Sequence, residues 1–222
     1  MFNYAQLLAQ EGLHFSDPKA LEYEFYLFED LYYRIYSISA DLAQERGSFS
    51  TFKESKWAQG QTPYSLSISP FKNKFETQYD WDMLGEKVKR GVRFSLHAAI
   101  APTATSAASL NATESTEPIT ELFYIQEGTQ TLPAIVPNVK KNREFYDICW
   151  DVSPKTIIEH ASIRQMFVDQ AQSINLYYIK PESAKELAED IFYAMDLGIK
   201  TLYYMKTPKS GYREEACESC SV

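Results

Sequence analysis

The sequence predicts an α/β fold, and two stretches of its 222 residues carry most of that prediction. The last third reads as a strand over residues 174–179, a helix that opens at 181–183 and stops at Gly198, and a second strand over 199–203. Two parallel strands joined by a helix form the right-handed βαβ unit of α/β proteins. Earlier, apolar residues at three- and four-residue spacing from 21 to 42 predict a long helix with one buried stripe.

The composition is that of an ordinary globular chain, with 45% hydrophobic and 23% charged residues. No apolar run approaches the roughly 18 residues that span a bilayer, and the first residues lack the pattern of a signal peptide. We therefore expect a cytoplasmic protein with no membrane partner. The formal charge of −8 makes nucleic acid a poor candidate partner, because phosphate-binding surfaces need an excess of basic residues.

The first half of the chain reads as helices and an irregular connection. A short helix over residues 4–10 ends at Gly12, and Asp17 then caps a second helix with Pro18 in its first turn. That helix runs to Gly47, and its predicted buried stripe consists of Leu21, Phe25, Phe28, Leu31, Ile35, Ile38 and Leu42. Glycine and prolines then interrupt residues 48–80, which predicts a long irregular connection before a short helix over 81–89.

The second half alternates strands and helices. Residues 94–101 read as a buried strand, and 123–125 with 132–136 read as a hairpin whose turn contains Glu127 and Gly128. Residues 155–172 read as a helix that contains His160, which we interpret as a surface or satisfied core histidine because no metal-ligand spacing surrounds it. From Thr207 the composition turns small and polar, which predicts a disordered tail.

A run of small and hydroxyl residues follows the strand at 94–101 and includes Pro102, Thr103, Ala104, Thr105 and Ser106. Small side chains let the backbone approach a ligand, while hydroxyls and consecutive amides supply hydrogen-bond donors to an anion. The run is therefore a candidate phosphate site. By itself, such a run is more often a surface loop.

The tail carries two of the three cysteines, Cys217 and Cys220. Thiols separated by two residues can close a disulfide, and on a mobile chain other redox proteins can reach them. Half of a zinc site is the competing interpretation, but it needs two more ligands. The third cysteine, Cys149, lies in an apolar context and is interpreted as a buried packing residue.

Tyr203 and Tyr204 stand next to each other at the end of the last predicted strand. Neighbouring residues of a regular strand point to opposite faces, so the backbone must leave strand geometry if both rings serve one purpose. Packing is the default role for such a pair, because the chain contains 16 tyrosines.

The order of these motifs along the chain is more specific than any one of them. The motifs, in order, are Pro-Thr-Ala-Thr-Ser at 102–106, Asn-Ala-Thr-Glu-Ser-Thr-Glu-Pro at 111–118, Thr-Leu-Tyr-Tyr at 201–204 and the cysteine pair. Together with residues 4–8, Asp-Leu-Ala-Gln-Glu-Arg-Gly at 41–47 and Trp-Ala-Gln-Gly at 57–60, this order resembles the C-terminal part of the large (alpha) subunit of class I ribonucleotide reductase.

The resemblance implies a fold and a substrate. The chain would be the C-terminal part of a ten-stranded α/β barrel, with residues 1–206 in the barrel domain and 207–222 as a flexible, redox-active tail. The loop over 102–106 would hold the diphosphate of a ribonucleoside diphosphate.

The resemblance also implies roles for the tyrosines and the tail. Tyr204 would receive a radical at the interface with the small subunit, and Tyr203 would pass it toward the active-site cysteine. Cys217 and Cys220 would reduce the active-site disulfide after each turnover and be reset by thioredoxin or glutaredoxin. The overall reaction would be the reduction of ribonucleotides to deoxyribonucleotides.

Three parts of the family's enzyme have no counterpart in this sequence. The radical cysteine, the two cysteines that reduce the ribose and the N-terminal regulatory domain all precede the region that the chain resembles. Met1 is accordingly expected to begin inside the barrel domain, and an N-terminal large-subunit chain to complete it, as in a split gene product or an expressed fragment. The chain should be inactive alone. It is expected to bind no metal or cofactor, with a metal-radical cofactor in the small subunit and nucleotide effectors on the N-terminal part.

Two other functions stay open. The chain could be a non-catalytic interaction subunit that only carries a redox-active dithiol tail. It could also be a degenerate remnant with no partner, although retention of the loop, the tyrosine pair and the cysteine pair together argues against decay.

Overall fold

The computed structural model describes residues 3–126, 132–180 and 183–208. Its α-helices are α1 (Tyr4–Glu11), α2 (Pro18–Arg46), α3 (Pro63–Leu66), α4 (Trp81–Val88), α5 (Ala104–Ser109), α6 (Val139–Asn142), α7 (Pro154–Gln165) and α8 (Ala184–Asp196). Its strands are β1 (Phe123–Gln126), β2 (Leu132–Ile135), β3 (Leu176–Tyr177) and β4 (Met205–Lys206). Short 3-10 turns cover Phe52–Glu54, Trp57–Gln59, Pro70–Asn73 and Arg143–Phe145.

The 29-residue helix α2 begins and ends where the sequence predicts. The Asp17 carboxylate accepts a hydrogen bond from the Lys19 amide at 3.0 Å, and Pro18 occupies the first turn, where its missing N–H costs nothing. At the other end Gly47 has a positive φ, which a residue with a Cβ adopts only under strain. The predicted helix over 4–10 is likewise present as α1.

The buried face of α2 differs from the predicted stripe in its second half. Leu21, Phe25 and Phe28 are buried as expected, but Leu31 is 38% exposed and Ile38 57% exposed. The buried positions there are instead Tyr32, Tyr36, Ala40 and Ala43. Tyrosine can take core positions because its hydroxyl finds a partner: the Tyr36 hydroxyl donates to the Phe167 carbonyl. The predicted stripe is therefore wrong at Leu31 and Ile38, whereas Ile35 and Leu42 are half-buried.

The connection over 48–80 contains α3 and three of the 3-10 turns, so it is more regular than predicted. Helix α7 ends at Gln165, not near 172. Its early end follows from Asp169, whose carboxylate accepts hydrogen bonds from the amides of His97 and Ala98 at 2.7 and 2.9 Å. These bonds tie the turn after α7 to the 94–101 segment.

The parallel arrangement predicted near the C-terminus is present, with shifted strands. β3 pairs with β4 in parallel, Leu176 opposite Met205, so the second strand begins after the predicted 199–203. The residues just before β3 pair on their other side with the 94–101 segment, through a parallel bridge between Gln172 and Ile100. Within the described residues, this bridge is the part of the predicted 94–101 strand that is present. Helix α8 connects β3 to β4, and three parallel stretches thus lie side by side in an α/β fold.

β1 and β2 form the predicted antiparallel hairpin, with Phe123 opposite Ile135. Its predicted turn at Glu127 and Gly128 lies outside the described residues, as do Cys217 and Cys220 and most of the predicted tail. Within the described part of the chain, no helix is both long and apolar enough to cross a membrane.

Candidate functional site

The two adjacent tyrosines form a contacting pair. The ring centroids of Tyr203 and Tyr204 are 3.9 Å apart and the rings are tilted by 42°. The two side chains are 50% and 54% exposed, so the pair lies at the surface of the described chain. The adjacent Tyr204 hydroxyl, as a hydrogen-bond and charge partner, raises the pKa of Tyr203 above its usual value.

The backbone explains how neighbouring residues bring their rings together. The Tyr203 amide donates to the Ile174 carbonyl at 2.8 Å, while the Tyr204 carbonyl accepts from the Leu176 amide at 2.8 Å. In a regular parallel strand the amide of one residue and the carbonyl of the next point to opposite edges. Here both point to the same neighbouring strand. The chain has therefore left strand geometry just before β4, as a shared use of both rings requires.

The predicted phosphate loop is the start of helix α5. Thr103 is its N-terminal flanking residue, and Ala104, Thr105 and Ser106 form its first turn, where amides lack partners within the helix. The Thr103 hydroxyl does not cap α5 but accepts from the Ser115 amide at 2.9 Å. The first-turn residues Ala104, Thr105 and Ser106 are exposed, and so is the preceding Pro102.

A cavity of about 490 Å³ lies beside α5. Its wall includes Ala104 and Thr105 from the first turn, Glu117 from the segment after α5, Tyr177 from β3 and Lys206 from β4. The Lys206 amino group lies 5.5 Å from the centre of the Tyr177 ring. The cavity thus lies between the predicted phosphate segment and β4, the strand that follows the tyrosine pair.

Glu117 links the segment after α5 to β3 and the residue before it through hydrogen bonds. The sequence alone indicated no role for this residue. Its side chain is buried and accepts three hydrogen bonds: from the Asn175 amide at 2.7 Å, the Asn175 side chain at 2.9 Å and the Tyr177 hydroxyl at 2.5 Å. Burial, and next the Glu117 charge, raise the pKa of Tyr177 well above its usual value. The available signal was the second of two glutamates in the 111–118 motif, the one next to a proline.

The contacts of Glu117 connect the two predicted site segments. On one side Ser115, two residues earlier, holds Thr103 at the start of α5. On the other side Asn175 lies between Ile174 and Leu176, the residues that bind the backbone of the tyrosine pair. The pair and α5 therefore share one hydrogen-bonded support.

Glu117→Gln is expected to lower the free energy of unfolding by about 2–3 kcal/mol, because hydrogen bonds to a charged group contribute about 1.5–3 kcal/mol each. A glutamine amide also turns N–H groups toward the donors of Asn175 and Tyr177. Urea unfolding of the variant and of Glu121→Gln, an exposed carboxylate four residues away, provides the measurement. Equal midpoints for the two variants would contradict the role assigned to Glu117.

The remaining cysteine and histidine predictions on described residues are confirmed. Cys149 is fully buried, and burial is the main cause that raises the pKa of its thiol far above the usual value. His160 is a satisfied core histidine, with its ring nitrogens 2.6 Å from Glu24 and 2.9 Å from the Phe15 carbonyl. Over residues 3–126, 132–180 and 183–208, no group of three histidine, cysteine or carboxylate side chains is arranged to hold a metal ion.

Comparison with known proteins identifies the family that the chain matches. Residues 1–140 and 127–205 match the family described as "Ribonucleotide reductase, barrel domain". The chain is 33% identical to the ribonucleoside-diphosphate reductase subunit alpha of Helicobacter pylori (strain J99 / ATCC 700824), over 98% of this chain and 29% of that protein. The corresponding subunit of Buchnera aphidicola from Acyrthosiphon pisum is 31% identical, over 100% of this chain and 31% of that protein.

The ribonucleoside-diphosphate reductase 1 subunit alpha of Escherichia coli (strain K12) is 30% identical, over 93% of this chain and 29% of that protein. The chain thus spans less than a third of the length of the curated relatives it matches. Both family matches together cover nearly all of the described residues. On this evidence the chain belongs to the ribonucleotide reductase barrel-domain family.

Proposed function

We propose that this chain is the C-terminal component of a ribonucleoside-diphosphate reductase large subunit and works with a second polypeptide. The observation that carries the proposal is the contact between Tyr203 and Tyr204, two exposed phenols 3.9 Å apart in a chain of this family. The reaction is the reduction of a ribonucleotide to a deoxyribonucleotide, with reducing equivalents from thioredoxin or glutaredoxin.

The tyrosine pair acts as a radical relay. Phenols lose an electron together with a proton, so two phenols in contact divide one long transfer into short hops. Tyr204 faces the small subunit and receives the radical, and Tyr203 passes it on toward the active site. The exposure of both rings supports this role, because a partner surface on each side has access to them.

The first turn of α5 and the residue before it hold the substrate diphosphate. Pro102, Thr103, Ala104, Thr105 and Ser106 offer small side chains, hydroxyl groups and free first-turn amides, which suit an anion. The adjacent cavity of about 490 Å³ has room for a nucleoside, and Lys206 contributes a positive charge to its wall.

The tail dithiol restores the enzyme after each turnover. Cys217 and Cys220 reduce the active-site disulfide and are reduced in turn by thioredoxin or glutaredoxin, through exchange between thiolates and disulfides. The 13 residues from Tyr204 to Cys217 span about 40 Å when extended, at roughly 3.3 Å per residue. An arm of this length serves a buried site and a solvent-side partner in turn.

The radical cysteine comes from another polypeptide, an N-terminal large-subunit chain. Cys149 is the one cysteine before the tail, and it lies outside the motifs that carry the resemblance to the family, so it is not assigned this role. The other partners are a small subunit with a metal-radical cofactor and nucleotide effectors on the N-terminal part, all in the cytoplasm. No bound cofactor is assigned to these 222 residues.

Reconstitution tests the proposal. The chain alone is expected to reduce no ribonucleoside diphosphate, whereas the chain co-expressed with the N-terminal large-subunit chain and the small subunit reduces it in the presence of thioredoxin. The measurement is deoxyribonucleotide formed per minute by each mixture. An inactive mixture whose three proteins assemble would refute the catalytic role.

The cysteine pair separates the catalytic function from that of a dithiol-carrying interaction subunit. Cys217→Ser combined with Cys220→Ser is expected to abolish thioredoxin-dependent turnover while a small dithiol still supports reduction. Cys149→Ala, which removes a buried and unpaired thiol, controls for the loss of a cysteine elsewhere in the chain. If the double variant retains thioredoxin-dependent turnover, the tail is not the reducing arm.

A second experiment tests the phosphate segment. If Thr103→Ala with Thr105→Ala leaves the KM for the diphosphate unchanged, the interaction subunit is the better assignment.

A further inference from the structure

Four aromatic rings contact one another in series between the core and the surface beside α2. We refer to them as the aromatic path, and they belong to Tyr64 of α3, Trp81 of α4, Tyr33 of α2 and Tyr79 of the preceding connection. The ring centroids of Tyr64 and Trp81 are 4.8 Å apart. Tyr33 follows at 5.6 Å from Trp81, and Tyr79 at 4.4 Å from Tyr33. Centroids this close place neighbouring π-systems in contact.

The two ends of the aromatic path have different surroundings. At the inner end, Tyr64 stacks on the fully buried Phe167 with ring centroids 5.6 Å apart. At the outer end, the Tyr79 hydroxyl donates a hydrogen bond to Asp30 and accepts one from Arg34 at 3.1 Å. The side chains of Asp30 and Arg34 are 43% and 64% exposed. The aromatic path therefore leads from the core to solvent.

All four side chains are of types that lose one electron readily. Phenols and indoles are oxidised most easily when a nearby base takes up the proton, whereas a phenylalanine ring resists oxidation. Two members of the aromatic path donate to a carboxylate, which can accept that proton. The Trp81 indole N–H donates to Glu29 at 3.1 Å, and the Tyr79 hydroxyl donates to Asp30. The contacts thus supply both an electron path and proton acceptors.

Packing alone does not account for the residue types in the aromatic path. Tyr33 is half-buried, and its hydroxyl has no hydrogen-bond partner among the described residues. Phenylalanine would therefore pack equally well at this position but could not be oxidised. No ring contact within the described part of the chain joins the aromatic path to Tyr203 or Tyr204, so it is separate from the tyrosine pair.

We propose that the aromatic path transfers oxidising equivalents from the interior of this chain to its surface. A one-electron oxidant, either a protein-centred or an oxygen-derived radical, takes an electron from Tyr64, and the phenol proton passes to water. Each following ring then gives one electron to the oxidised ring before it, which regains a proton. The result is protection of the core, a role that goes beyond the proposed reduction of ribonucleotides.

Each hop also releases a proton from the newly oxidised ring. Trp81 passes its proton to Glu29, whereas the half-buried Tyr33 passes its proton to water. Tyr79 passes its proton to Asp30 and is then restored by a hydrogen atom from a small donor such as ascorbate. Asp30 returns its proton to water. In total, one electron passes from the donor to the oxidant and one proton passes from the donor to water.

Flash oxidation of the full chain tests the aromatic path. A ruthenium(II) bipyridyl photo-oxidant is attached through Leu66→Cys, at a half-exposed position of α3. Cys217→Ser and Cys220→Ser direct the label to that position, since Cys149 is buried. After flashes with an electron acceptor, a nitrone spin trap captures tyrosyl radicals, and mass spectrometry locates the adducts. We expect an adduct on Tyr79.

Two conservative variants interrupt the path. Trp81→Phe keeps a ring but removes the oxidisable indole, so the adduct on Tyr79 should be lost and the adduct on Tyr64 should increase. Tyr33→Phe removes only a hydroxyl and should also abolish the adduct on Tyr79. Trp150→Phe is the matched control, because its indole packs on Tyr177 outside the aromatic path, and it should leave the adducts unchanged.

Two outcomes overturn the inference: adducts confined to Tyr64 in the chain without a path variant, and a Tyr79 adduct that neither phenylalanine variant lowers, which indicates direct oxidation by the label. Thermal unfolding checks that Trp81→Phe is folded, and Tyr33→Phe carries the test if it is not. The readout needs neither turnover nor a second polypeptide. Its failure would therefore leave the proposed reductase function untouched, and an inactive reductase would leave this result untouched.

Discussion

Exchange of Glu24 for glutamine is expected to lower the free energy of unfolding by about 3–5 kcal/mol, the cost of breaking a buried ion pair by removing one partner. Glu24 is fully buried in α2, and its carboxylate lies 2.6 Å from Arg164 Nη1 and 2.6 Å from His160 Nδ1, both on α7. Without the negative charge, the buried guanidinium of Arg164 loses its compensating charge.

The geometry around His160 adds to this cost. Its Nε2 lies 2.9 Å from the Phe15 carbonyl, which only accepts, so Nε2 carries a proton. Nδ1 lies 2.6 Å from the Glu24 carboxylate, so both ring nitrogens have a hydrogen-bond partner. Arg164 also donates from Nε to Gln172 at 2.9 Å, which extends the network to the extended stretch before β3. Glutamine at position 24 fails to balance this charge and leaves the packing of α2 against α7 unsupported.

Urea unfolding of Glu24→Gln and of Glu22→Gln measures the effect. Glu22 is exposed on the same helix, so its variant controls for the loss of a negative charge at equal helix propensity. The expected result is a large shift of the midpoint for Glu24→Gln and almost none for Glu22→Gln. Similar midpoints would show that the network contributes little to stability.

Tyr203→Phe is expected to reduce the activity of the assembled reductase to background while assembly and stability remain unchanged. Phenylalanine keeps the ring and its contact with Tyr204 but has no hydroxyl proton to lose, so the relay is interrupted at one hop. The position is half exposed, and its hydroxyl supports no buried contact within the described chain, so the fold is not at risk.

Deoxyribonucleotide formation by the complete assembly provides the measurement, with Tyr26→Phe as the matched control. Tyr26 is a half-buried tyrosine of α2 whose ring packs on Phe25 at 5.5 Å. Normal activity of Tyr203→Phe would refute the relay. Loss of activity together with loss of co-purified small subunit would assign Tyr203 to docking and refute its role in transfer.

Local signals along the chain were sufficient to predict most helices. The cap at Asp17, the glycine at 47 and the cap at Ser183 each act within one turn of their own helix, so α2 and α8 begin or end near the predicted positions. Strand positions were less accurate. β4 begins after 199–203 because the backbone at Tyr203 and Tyr204 is irregular. The position at which regular pairing begins depends on the neighbouring strand, β3.

The candidate site also combines features that the sequence shows with contacts that only the folded structure shows. The residue types at 102–106 and 203–204 are visible in the sequence, but the role of Glu117 depends on partners 58 and 60 residues away. No local pattern encodes such distant partners. The shift of the buried face in the second half of α2 is similar, because burial of Tyr36 depends on a carbonyl at Phe167.

By itself, the sequence determined the α/β class, the main helices and the ordered motifs that resemble the reductase family, since these depend on local propensity and on residue identity. Only the tertiary structure decided that the two tyrosine rings touch, that Glu117 supports both site segments, and that the four rings of the aromatic path contact one another in series. The physical reason is that hydrogen-bond partners and burial are set by residues far apart in the chain. Their juxtaposition exists only once the chain has folded.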